Sequence, residues 1–78
     1  MSEEKLFNLI KKSLKTKSKI NMNSSSKNIE EWDSLGFLSI LTALDKETKG
    51  KTSKIKSLAN ADSVLKILDI LKKEKILK

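Results

Sequence analysis

At 78 residues the chain has the length of one small domain, with too little interior for a deep substrate-engulfing cleft. It contains no Cys, His, Arg or Pro, so it lacks a disulfide framework, the usual ligands of a transition-metal site and the histidine of a serine triad. Its 17 Lys stand against 10 acidic residues for a formal net charge of +7, and with 37% hydrophobic but only 4% aromatic residues the natural core is helical and built from Leu and Ile.

The charge is uneven. Residues 1–26 carry +4, residues 27–48 carry −3 and residues 49–78 carry +6, so an acidic island sits inside a basic chain. The N-terminal apolar residues alternate with Lys and Glu, unlike a signal peptide. No apolar run approaches the ~20 residues that span a bilayer. The expected location is the cytoplasm.

The first helix is predicted over residues 2–15, capped by Ser2, with Glu3 and Glu4 at its positive end. Leu6, Phe7, Ile10 and Leu14 recur at helical spacing, and Leu9 widens the stripe. Residues 16–29 form a long polar connection, expected to be the most mobile part, with Ile20, Met22 and Ile29 as its anchors. A second helix is predicted over 34–49 and closed by Gly50 as a left-handed cap. Its Leu38, Leu41 and Leu44 line one side, with Leu35, Phe37 and Ile40 at the edges. One or two helical turns fit residues 54–59, and the last helix runs over 62–75. Asp62 or Asn60 caps that helix. Val64, Leu65, Leu68 and Leu71 form its buried stripe, broadened by Ile67 and Ile70.

The stretch with chemical content is Glu30-Glu31-Trp32-Asp33-Ser34-Leu35-Gly36-Phe37-Leu38. Asp33 is a good N-cap, because its carboxylate can accept from backbone N–H groups that have no partner inside the helix. Ser34 then falls at the first helical position, where the macrodipole and free N–H groups favour a phosphate. Gly36 either lets a bulky group approach the backbone or is simply a small residue beside a neighbour. With no histidine in the chain to build a His-assisted triad, Ser34 reads as a residue acted upon rather than a catalyst.

Trp32-Asp33-Ser34-Leu35-Gly36 followed by an amphipathic helix resembles the acyl carrier protein and peptidyl carrier protein family, whose signature is Asp-Ser-Leu. The preceding Glu30 and Glu31 fit a branch with Glu-x-Trp-Asp-Ser-Leu-Gly. The resemblance covers residues 30–38 in motif and the rest in length and helix placement. It implies an all-α, acyl-carrier-like four-helix bundle of three longer helices and one short one, spanning 1–78 as a single domain. It implies a 4′-phosphopantetheine arm on Ser34, with Asp33 and Gly36 beside it, and a non-catalytic carrier holding acyl or aminoacyl groups as thioesters. The implied partners are a phosphopantetheinyl transferase, a loading ligase and the synthases or transferases of fatty acid, polyketide or nonribosomal peptide biosynthesis. Leu35, Phe37, Asp45 and Glu47 are the expected partner-facing residues. The basic balance departs from the family, whose typical members are acidic. Two alternatives remain: a basic helical nucleic-acid-binding module, which would have no Arg and few aromatics to read or stack bases, and an unmodified interaction domain that keeps the carrier fold.

Overall fold

Every regular element in the computed structural model, which describes residues 1–77, is helical. Helix α1 spans Glu3–Leu14, α2 spans Ser34–Glu47 and α3 spans Val64–Lys73. The predicted short helix over 54–59 is instead a pair of 3-10 turns, Thr52–Lys54 and Lys56–Asn60. Among the described residues no helix is long and apolar enough to cross a membrane.

α1 forms as its sequence suggests. The Ser2 hydroxyl accepts from the Lys5 N–H at 3.1 Å, and Leu6, Ile10 and Leu14 bury one face. These residues meet Ile40 and Leu44 of α2 and Val64, Ile67, Leu68 and Leu71 of α3 in one core. Ile20, Ile29 and Trp32 close that core from the loop, and Leu58, Ala61 and Leu77 from the C-terminal half.

The face that α2 presents differs from the expected one. Ile40 and Leu44 are fully buried and Phe37 and Leu41 half-buried, whereas Leu38 is 59% exposed and Leu35 76% exposed. Apolar residues occur on nearly every side of this helix, so periodicity alone does not fix its rotation. The close approach at Gly36, described below, does. In α3, Ile67 belongs to the buried stripe and Leu65 lies outside it. The cap of α3 is Ser63, whose hydroxyl accepts from the Lys66 N–H at 3.2 Å, rather than Asp62 or Asn60. Asp62 instead pairs with the Lys66 ammonium at 2.9 Å.

The long connection is tied down at its middle. Val64 N–H donates to the Ser24 carbonyl at 2.9 Å and Ser26 N–H to the Asp62 carbonyl at 2.9 Å, a two-bond bridge that pins Ser25 opposite Ser63. Ser24 is buried, and its hydroxyl accepts from the Asn21 N–H at 2.9 Å. Ile20 and Ile29 anchor the loop, and Met22 points outward. A polar composition concealed this bridge because both of its bonds are backbone to backbone. The Ser26 and Val64 amides are expected to exchange hydrogen slowly, and the Lys17 and Lys19 amides fast. Equal exchange across the connection would contradict the bridge.

Each α-helix ends at a lysine with left-handed backbone: Lys15 (φ 53°), Lys49 (φ 56°) and Lys75 (φ 59°). Behind α2, Gly50 N–H reaches the Asp45 carbonyl at 2.8 Å and Lys49 N–H the Lys46 carbonyl at 3.4 Å. This is a Schellman closure in which Lys49 takes the left-handed position and the predicted Gly50 follows it, also at positive φ (86°). A Cβ in this region costs roughly 1 kcal/mol. Lys49→Gly and Lys75→Gly are therefore each expected to raise stability by about 0.5–1 kcal/mol in urea unfolding. A loss of stability would show that these lysine side chains contribute more than their backbone conformation costs.

Candidate functional site

The segment before α2 is built from short local bonds. Ser25 N–H donates to the Asn28 side-chain oxygen at 2.9 Å, Ile29 N–H to the Ser25 carbonyl at 3.0 Å, and Trp32 N–H to the Ile29 carbonyl at 3.0 Å. These turns deliver Trp32 into the core, where it is only 3% exposed. The next two residues are thereby placed at the surface.

Asp33 is the N-cap of α2. Its carboxylate accepts from the Gly36 N–H at 2.8 Å, and its carbonyl accepts from the Phe37 N–H at 2.8 Å. Ser34 is the first helical residue and is exposed. Among the described residues the N–H groups of Ser34 and Leu35 have no protein acceptor. The Ser34 hydroxyl therefore stands at the positive end of a 14-residue helix beside unused donors.

Gly36 faces the protein rather than solvent. A Cβ at this position would lie 2.1 Å from the Glu31 carbonyl oxygen and 2.7 Å from a Leu14 methyl. The space that a bulky ligand would need over Gly36 is filled by the chain itself. The role expected for Gly36 beside a cofactor thus becomes a packing role, which sets the rotation of α2 and the direction in which Ser34 points.

Beside Ser34 lies an open groove of about 340 Å³. Trp32, Phe37, Ala59 and Ala61 supply its apolar surface, and Ser26, Asn60 and Asp62 its polar edge. Residues 59–62 come from the far side of the chain, and no motif in the sequence connects them to Ser34. Leu35 projects next to Ser34, and Phe37 lines the groove while packing against the core.

Asp45 and Glu47 are not part of this site. They lie 11 and 13 positions further along α2, about 16–20 Å away at helical rise. Asp45 is half-buried, and one of its carboxylate oxygens is buried without a hydrogen-bond partner among the described residues. Glu47 is ion-paired with Lys5 across α1 and α2. The Lys5 hydrogen bond, and then its charge, hold the Glu47 carboxyl below its ordinary range. The acids that do flank Ser34 are Glu30, Glu31 and Asp33, all exposed. The acidic island is therefore split: its exposed acids, unpaired among the described residues, lie at the Ser34 end, while Asp45 is half-buried and Glu47 is paired with Lys5.

In comparisons with known proteins, no family model, no curated sequence and no solved structure matches this chain.

Proposed function

We propose that the chain is a carrier protein whose Ser34 hydroxyl takes a 4′-phosphopantetheine arm from a separate transferase. The observation that carries this reading is the exposed Ser34 at the first position of α2, directly after a side-chain-capping Asp33 and beside an open, partly apolar groove. The residues fit the group. A phosphodiester on Ser34 Oγ would meet the free N–H groups of Ser34 and Leu35 and the positive end of the helix. The groove between Trp32, Phe37, Ala59 and Ala61 offers apolar surface to a chain leaving that phosphate. Once attached, the group supplies the thiol that holds acyl or aminoacyl groups as thioesters, and this protein has no thiol of its own.

In this reading the protein is no enzyme, and its own residues bind and present. Asp33 holds the first turn of α2 so that Ser34 stays outward, and Gly36 fixes the helix rotation. Leu35, exposed beside Ser34, is an apolar contact for a docking enzyme, and Glu30, Glu31 and Asp33 supply the charge that sets encounter rate and partner choice. Asp45 and Glu47, expected as docking residues from the sequence, contribute less because one is half-buried and the other is paired to Lys5. The acyl-carrier-like bundle belongs to the same proposal, with the two 3-10 turns standing where that family has a short third helix. Tethering raises the effective concentration of the carried group at each docked partner, which is how a small protein without a catalytic site contributes to a reaction.

The test is transfer in vitro. Incubation with coenzyme A, Mg²⁺ and a broad-specificity phosphopantetheinyl transferase is expected to add one arm to the wild type and none to Ser34→Ala. Peptide mapping is expected to place it on Ser34. Transfer to Ser24, Ser25 or Ser26, or an unchanged mass with several transferases, contradicts the proposal.

A further inference from the structure

On the seam between α1 and α2 two adjoining cavities, of about 510 and 500 Å³, share Lys12, Ser13, Ala43 and Lys46 and so make one trough. Leu9, Ala43 and Leu38 provide apolar surface along it. Lys12, Lys15 and Lys46 rim it, and none of the three has an ion-pair partner among the described residues. The one acid on its wall, Glu47, is already taken by Lys5. Along α2 the lining runs from Leu38 to Glu47, about 14 Å at helical rise.

We propose that this trough docks an acidic amphipathic helix of a partner protein, with apolar side chains on Leu9, Ala43 and Leu38 and carboxylates on Lys12, Lys15 and Lys46. Three unpaired ammonium groups around an apolar floor repel one another, and partner carboxylates remove that repulsion. The length matches about two and a half to three turns of helix, the helix-in-groove mode in which spaced apolar anchors are read from one face. Nucleic acid fits less well. A phosphate backbone has nothing to place on the apolar floor, the rim has no Arg to read base edges, and no aromatic residue lines the trough for bases to stack on. The surface is separate from the Ser34 groove, and the proposal holds whether or not Ser34 is modified.

The test uses ¹⁵N-labelled Ser34→Ala protein, so that its result is independent of phosphopantetheine. The probe is a synthetic helical peptide of about 14 residues, long enough to fill the trough, with Leu on one face and Glu on the other. Amide shifts are expected to concentrate at Leu9, Ser13 and Ala43. The combined Lys12→Glu and Lys46→Glu variant is expected to weaken binding at least tenfold, and added salt to weaken it further. If that variant loses helical circular dichroism, Lys12→Gln with Lys46→Gln replaces it, with a smaller but measurable loss expected. Absence of shifts, shifts centred elsewhere, or equal binding of a control peptide with Lys in place of Glu would overturn the proposal. So would duplex DNA that binds these lysines more tightly than the acidic peptide does.

Discussion

Replacing Trp32 with alanine is expected to cost about 3–5 kcal/mol of folding stability, the range for emptying a buried large aromatic site. Trp32 is the largest side chain in the chain and is only 3% exposed, so little solvent can replace the contacts it loses. At typical per-residue values a domain of this length holds only roughly 4–12 kcal/mol in total. The loss is therefore a large fraction of the total, and from the low end of that range it is enough to leave the variant partly unfolded at room temperature. The substitution also removes the only tryptophan, so unfolding in urea should be followed by far-ultraviolet circular dichroism. A cost below about 1 kcal/mol would place Trp32 at the surface and separate the site segment from the core.

Gly36→Ala is the second large effect, and its sign is the informative part. In an unconstrained helix, alanine in place of glycine is favourable by roughly 1 kcal/mol. Here the added methyl would stand 2.1 Å from the Glu31 carbonyl oxygen and 2.7 Å from a Leu14 methyl. The Leu14 side chain can turn aside, but the Glu31 carbonyl is backbone and moves only with the turn that carries Trp32. The expected result is a loss of about 3 kcal/mol, the upper part of the overpacking range. Removing the flexible neighbour should not help, so Gly36→Ala combined with Leu14→Ala is expected to be less stable than either change alone. A neutral or stabilising Gly36→Ala would mean that the approach to Glu31 does not set the rotation of α2.

These two residues also mark how far the sequence was legible. The helices, the Ser2 and Asp33 caps and the buried faces of α1 and most of α3 follow from spacing and capping chemistry, which act within a few residues. Trp32 and Gly36 were legible as members of a motif beside Ser34, but their structural roles were not, because both depend on neighbours supplied by the tertiary fold. The rotation of α2 was not legible for the same reason: Leu38 looks like a core residue and Ile40 like an edge residue until Gly36 is seen to face Glu31 and Leu14. The groove wall from residues 59–62 and the Ser24–Val64 bond are long-range contacts with no local pattern. The charge blocks were legible as blocks, yet pairing decides their meaning. Lys5 takes Glu47 out of the acidic island, leaving Glu30, Glu31 and Asp33 around Ser34.

Placement of the charges gives the two ends of α2 different surroundings. The Ser34 end carries exposed acids and an apolar groove, and the seam with α1 carries unpaired lysines. Under the proposed carrier function, one partner would be held at the Ser34 end while a second contact uses the trough.

The central claim is that Ser34 is the attachment point of a phosphopantetheine arm, and the most direct measurement is the intact mass of this protein isolated from its native host, followed by fragmentation to locate any added group. The account predicts a mass increased by one phosphopantetheine, or by that group with an acyl or aminoacyl load, carried on Ser34. A protein found wholly unmodified, or modified on a different residue, would contradict it.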